Sequence, residues 1–307
     1  MSEPLVVEVI RSGAHESLHV VDVAVVDSDG SLVAWAGDPE QPAAYRSSSK
    51  PIQARVSIEA GWTPADARAL AIACASHNGE ADHVDAVRAV LAGAGLDESV
   101  LRCPADLPMY PPAVIGARGR APIYHNCSGK HAAMLAACKA SGWPLESYRE
   151  DDHPLQVAVH KLIEALIGRV AGPLVDGCGV PTYVAPLRAL ARGLLAIDGD
   201  AEAAAMHTHP FLVAGSERLD TDLMTAVPEV LIKGGAEGLA CVSAGGFGLA
   251  TKARDGAARA RGPAVIAVLE QMRLIPEGLL PAHREPPVLG GGVPVGVLRA
   301  RGTLSRA

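Results

Sequence analysis

Residues 18–37, LHVVDVAVVDSDGSLVAWAG, are two apolar runs separated by a short polar break that contains Asp29-Gly30. Asp-Gly readily takes the positive φ values that a tight hairpin turn demands, so the stretch predicts two antiparallel strands joined at that pair. Further along, GLACVS (238–243) and GFGLATKARDG (246–256) read as short strands around a Gly-rich turn, and VPVGVLRA (293–300) is another strand near the far end. Gly290 to Gly292 turns the chain before that last strand rather than cradling a phosphate. Between these strands the sequence is helical. Thr63-Pro64-Ala65-Asp66 offers an N-cap, a proline at the first helical position and an acid in the first turn, ahead of ARALAIACA (67–75). Val84, Val87 and Leu91 predict a helix ending at Gly93 or Gly95, Leu155, Val159, Leu162 and Leu166 one after His153-Pro154, and Val265, Val268, Leu269 and Met272 a last one. Strands toward both termini around a helical middle predict an α+β protein whose terminal strands share one antiparallel sheet.

The chain has 307 residues, 49% hydrophobic, enough for a large core in one domain or two intimately packed lobes, and no boundary between lobes stands out. Aromatics are only 3% against 32 glycines, so close packing of elements must come from small residues. A formal net charge of -7 leaves no basic footprint for nucleic acid and no polybasic membrane patch. The sequence begins without a basic segment followed by an apolar one, and no apolar run reaches the roughly 18 residues of a membrane span, so a cytoplasmic protein is expected. Six scattered cysteines (74, 103, 127, 138, 178, 241) then read as free thiols or ligands rather than a disulfide framework.

Chemistry first shows in YRSSSKPIQAR (45–55). Ser47 and Lys50 are three apart, so a helical turn there puts them on one face. A serine hydroxyl is a poor nucleophile until a base takes its proton, and lysine serves only when desolvation or a nearby cation lowers its pKa from about 10.4. Pro51 disfavours helix at Lys50 but suits the first turn of a helix that starts there. Ser48 and Ser49 lack the spacing to this lysine. A capped polar loop has the same appearance, so the motif needs company. CASHNGEADH (74–83) places Ser76-His77-Asn78 at the end of a predicted core helix, and LIKGGAEG (231–238) places Lys233-Gly234-Gly235 before a predicted strand. Ser-x-x-Lys, Ser-x-Asn and Lys-x-Gly in this order resemble the signature of serine β-lactamases and penicillin-binding proteins, an acyl-transfer class. The first two motifs are closer together than that family has them, and Gly234 replaces its usual Thr or Ser.

A resemblance covering most of the chain is carried by RSSSKPIQA (46–54), CASHNGE (74–80), NCSGKHAAML (126–135), DGCGVPTYVAPL (176–187), LVAGSERLDTDLM (212–224) and IKGGAEG (232–238). These resemble, in order, the motifs of the rhizobial-type, or thermolabile, L-asparaginase II family. The resemblance implies a serine β-lactamase/glutaminase-like fold, residues 1–307 as one asparaginase unit, L-asparagine as substrate and a homodimer. It implies two Ser-Lys pairs, Ser47 with Lys50 and Ser76 with Lys233, Ser47 being the nucleophile. It also implies a zinc site of Cys127, Lys130 and Cys178, with His131 and Asp176 beside it in the substrate pocket.

Taken by themselves, Cys127 and Lys130 are spaced i, i+3 at a predicted helix start, and Cys178 sits in a Gly-flanked turn. Two thiolates suit zinc, and lysine becomes a ligand only when its amine is deprotonated. The alternative is a set of buried structural thiols, the reading kept for the other four cysteines. His125 and His153 read as surface or capping residues. A zwitterionic substrate needs a cation for its α-carboxylate, Arg46 or Arg218, and an acid for its ammonium, Asp176. For Arg218 an ion pair with Asp220 or Asp222 is the competing role. A serine acylase of β-lactamase or glutaminase type, and a non-catalytic zinc protein, remain as alternative functions.

Overall fold

The computed structural model describes residues 2–307. They divide into two compact units: residues up to Ser48 with Ala185–Ala196 and Ala226–Ala307, and Ser49–Val184 with Ile197–Thr225.

The first unit is built on a nine-stranded sheet with antiparallel pairing. Its order is Pro287–Gly290, Val293–Arg301, Leu5–Arg11, Ala14–Val26, Phe247–Ala253, Leu239–Ala244, Val230–Gly234, with Leu32–Ala36 pairing Ala14–Val26 and Ser305–Arg306 pairing Leu32–Ala36. The strands from the two ends of the chain do share the sheet, Val6 lying opposite Arg301 and Arg11 opposite Gly296. The 18–37 hairpin forms, through a longer turn than Asp-Gly alone: Gly30 N donates to Asp27 O at 2.9 Å and Asp27 N to Ser31 O at 3.0 Å. Gly30 takes φ +80° there, while the Asp27 carboxylate accepts from the amides of Asp29 and Ser31. Strands Val230–Gly234 and Leu239–Ala244 are buried at every residue, so both of their faces are covered and their sequences show no alternation. Lys233-Gly234 precedes the Leu239–Ala244 strand as expected, and it also ends the Val230–Gly234 strand, which the sequence reading did not include. The Leu187–Leu195 helix lies directly on the sheet: a Cβ on Gly248 would sit 2.2 Å from Ala191 O.

The second unit holds helices Lys50–Glu59, Ala67–Ala73, Ala81–Gly93, Ser128–Ser141 and Pro154–Ile167. The Ala67–Ala73 helix starts three residues later than Thr63-Pro64 predicts, because Asp66 is extended (φ -160°) and its carboxylate accepts from Ala69 N at 2.8 Å, making it the N-cap. In Pro154–Ile167 the buried face is Leu155, Gln156, Val159, Ile163 and Ile167; Leu162 and Leu166 are only half-buried. An apolar run on nearly every side of the helix permits either face, and packing chooses. His153 and His125 both cap, their Nδ1 atoms accepting from Leu155 N and Cys127 N, and His153 is buried rather than on the surface. Small residues do bring helices together: a Cβ on Gly129 would meet Ile72 O at 2.1 Å. Sheet and helix together make the chain α+β. Among the described residues no helix is long and apolar enough to cross a membrane.

Candidate active site

Arg46–Ser49 is a single 3-10 turn, and the Lys50–Glu59 helix follows it with Pro51 in its first turn, where the missing N–H costs nothing. The chain therefore turns into helix as the Ser-x-x-Lys spacing requires. Lys50 is fully buried, and its Nζ donates to Ala75 O at 2.5 Å, Ser76 Oγ at 3.0 Å and Asn126 O at 3.3 Å. Ser47 is not among these partners. Two of the three are carbonyls, which can only accept. When the amine gives up one proton, its two remaining N–H groups serve the carbonyls and its lone pair faces Ser76, whose hydroxyl can rotate to donate. Burial lowers the Lys50 pKa from 10.5; Cys127 and Cys178 oppose this and Lys130 reinforces it.

Ser76 lies three residues beyond the Ala67–Ala73 helix, in a segment without regular secondary structure. The backbone there is fixed from two sides: Ser76 N donates to Val213 O and Asn78 N to Ala214 O, both at 2.9 Å, and His77 N to Asn126 O at 3.2 Å. His77 holds the bend. Its Nδ1 accepts from Gly79 N at 3.0 Å, and its Nε2 is 2.9 Å from Ser128 Oγ, which donates to Ile123 O. That pattern requires neutral imidazole protonated at Nε2, and burial holds the His77 pKa well below 6.5. His83 is locked alike, Nδ1 accepting from Glu80 N and Nε2 donating to Phe211 O.

Two residues after Ser76, Asn78 Oδ1 accepts from Arg218 Nη1 at 2.8 Å, so a candidate cation for a substrate carboxylate is held by the motif that carries the serine.

The thiols form a second cluster in the same unit. Cys127 is the N-cap residue of Ser128–Ser141, which places Lys130 and His131 one turn on, and Cys178 lies in the turn between Ala171–Val175 and Pro181–Pro186. That turn is closed by Gly179 N to Asp176 O at 2.8 Å and Gly177 N to Asp176 Oδ1 at 2.7 Å, Gly179 taking φ +88°. A hydrogen bond joins Cys127 and Cys178. That bond and burial raise the Cys127 pKa, and the same bond lowers Cys178, with Lys130 assisting against burial. Lys130 is buried, which disfavours its charge, but Cys178, Cys127 and Asp176 outweigh this and raise its pKa to about 12. His131 Nδ1 is 2.6 Å from Tyr148 Oη, and the ring also meets the Cys178 thiol. Burial lowers His131 to about 4. No group of three or more His, Cys, Asp or Glu side chains among the described residues is placed to hold a metal. The implied donor set is of another kind, two thiols and an amine, and two buried sulfurs beside a buried lysine fit a thiophilic cation such as zinc.

In the first unit stand Arg46, Ser47 and Lys233. Ser47 is half-buried on the 3-10 turn, next to the buried Ser48 and Ser49, and Arg46 takes φ +46°. Ser48 Oγ donates to Lys233 O at 2.9 Å, while the fully buried Lys233 Nζ donates to Gly234 O at 2.7 Å. None of the six cysteines is in a disulfide. Asn78, Glu80 and Tyr148 have contacts at these clusters to which the sequence assigned no role. Asn78 and Glu80 lie inside a quoted motif; Tyr148 carries no local signal.

A search of curated proteins found no match to the chain. Residues 7–300, nearly the whole length, match the model of the family described as L-asparaginase II, and the chain belongs to that family.

Proposed function

We propose that the protein hydrolyses L-asparagine to L-aspartate and ammonia through a serine acyl-enzyme. The observation that carries this reading, beside family membership, is the buried Lys50 amine 3.0 Å from Ser76 Oγ. A serine oxygen bonds to the carboxamide carbon, its proton passes to a lysine amine and on to the leaving nitrogen, the C–N bond breaks, and water then cleaves the ester. In the reading the family motifs favour, Ser47 attacks with Lys50 as base, and Ser76 and Lys233 relay protons. The Lys50–Ser76 hydrogen bond favours a second assignment, in which Ser76 is the attacking oxygen. Capture of the acyl group separates them: mass spectrometry of asparagine-quenched enzyme places the adduct on one serine, and its loss must follow the matching Ser47→Ala or Ser76→Ala.

Asp176 takes the substrate ammonium, and Arg218 or Arg46 takes the α-carboxylate. Cys127, Lys130 and Cys178 would hold zinc, which when bound supplies a fixed positive charge beside the substrate's polar end. His131 and Asp176 are then oriented around that end by their neighbours. The test is ammonia release from asparagine, from glutamine and turnover of a chromogenic β-lactam. Asparagine should be much the fastest, since one extra methylene carries the carboxamide out of line with a fixed nucleophile. Equal rates on the two amides, or turnover of the β-lactam alone, would replace this reading with the broader serine-acylase one. Undiminished activity in both serine variants would exclude the serine acyl-enzyme, and no turnover of any of the three substrates by protein that retains zinc would leave a zinc-binding protein.

A further inference from the structure

Glu80 has no part in the chemistry above, yet its carboxylate joins two segments. Oε1 accepts from Ser216 N at 2.9 Å and from Asn78 Nδ2 at 3.2 Å, and Oε2 accepts from Ser216 Oγ at 2.8 Å. Asn78 Nδ2 also donates to Ser216 O at 2.9 Å, and Asn78 Oδ1 receives the Arg218 guanidinium. The 214–218 segment has no conformational freedom to spare at this junction. Gly215 takes φ +112°, and a Cβ there would lie 2.5 Å from Glu80 Oε1 and 2.7 Å from Asn78 Nδ2; Glu217 takes φ +60° although it is not glycine. A surface carboxylate that merely capped the Ala81–Gly93 helix would not need to accept from a serine amide 136 residues away.

We infer that Glu80 is a positioning residue for recognition of the substrate's α-carboxylate: it clamps Ser216 and Asn78, and through them sets Arg218 at a fixed place relative to Ser76. The inference rests on the asparaginase reading and on Arg218 as the carboxylate's partner. Glu80→Gln keeps the shape but replaces one acceptor oxygen by an NH2 group that cannot accept from Ser216. It should raise KM for asparagine about tenfold while kcat changes less than about twofold, the pattern of lost ground-state binding. With 3-aminopropanamide, which is asparagine without its α-carboxylate, the same variant should lose at most about twofold in kcat/KM. Ser216→Ala, a milder change, should shift KM in the same direction by less. Equal losses on both amides, or an unchanged KM for asparagine, would overturn the inference. Amide hydrogen exchange supplies an arm independent of substrate: in Glu80→Gln the amides of 214–218 should exchange faster while those of the Ala81–Gly93 helix do not. If the wild type hydrolyses neither amide, the asparaginase reading has failed, and with it the carboxylate role of Glu80. The clamp itself is then decided by exchange, unchanged rates at Ser216 refuting it.

Discussion

Ser48 and Ser76 are both buried serines bonded to a lysine, but to different parts of one. Ser48 Oγ gives its proton to the main-chain carbonyl of Lys233, a group that cannot take a proton away. Ser76 Oγ faces the side-chain amine of Lys50, whose other two partners are carbonyls. The first contact fastens the 3-10 turn to a strand. The second sets a potential base against a potential nucleophile or relay. Nearness of serine to lysine therefore says little about chemistry; which lysine atom the hydroxyl meets, and whether that atom can change protonation, says much more.

The largest expected effect tests this contrast directly. Ser76→Ala and Lys50→Met should each lower asparagine turnover by about 10² to 10⁴, the usual weight of a positioned acid or base, and the double variant should be little worse than the poorer single one. Ser48→Ala should stay within about twofold in kcat and lose on the order of 1 kcal/mol of stability with its hydrogen bond to Lys233 O. Ammonia release and thermal melts on the four proteins decide it. A Ser48→Ala loss as deep as that of Ser76→Ala would break the comparison.

A second contrast lies among the cysteines. Burial raises Cys138 and Cys241 to about 12, for Cys241 against the opposing Ser48 hydroxyl and Lys233, whereas Cys178 is lowered by its hydrogen bond from Cys127 and by Lys130. Metal analysis should find about one zinc per chain in wild type and in Cys138→Ala and Cys241→Ala, and little in Cys127→Ala or Cys178→Ala. Acid should strip the metal as it protonates the ligands. Fully active protein without zinc would return Cys127 and Cys178 to the structural class of the other four.

The smallest effect concerns the two histidines that shape the Ser76 segment. Burial depresses both His77 and His83 below the ordinary 6.5. The unfolded chain thus binds protons at a pH where the folded one does not, so stability is full above pH 6.5 and declines as pH falls from there toward the depressed folded values. Denaturant midpoints between pH 7.5 and pH 5 should show this slope, and it should flatten in His83→Gln, whose side chain cannot take a proton. An unchanged slope would mean that the segment is held by its backbone hydrogen bonds alone.

The sheet was legible because Val-rich runs around Asp-Gly and Gly-Gly leave few other conformations. The helix starting at Ala67 was legible in kind but not in its first residue. Thr63-Pro64 and Asp66 are competing start signals, and only the reach of the Asp66 carboxylate to Ala69 N resolves them. At the site, Lys50 and Ser76 were both found, but spacing pairs Lys50 with the local Ser47, and no local rule reveals that the amine turns toward residues 75, 76 and 126. Glu80 was hidden for a related reason. It sits where a helix-capping acid belongs, and it does cap Ala81–Gly93, so nothing local pointed to its second attachment at Ser216.

The strand Leu5–Arg11 is flanked by Ala14–Val26 on one side and by Val293–Arg301 on the other. A growing polypeptide makes the first neighbour at once and the second only after the whole stretch between Val26 and Val293 has been made. Until then the early hairpin carries an open strand edge, with Val7 and Val9, fully buried in the finished protein, still lacking part of their cover. Such long-range closure is slow compared with local helix formation, so the nascent chain is most prone to sticking in the interval before the Val293–Arg301 strand arrives.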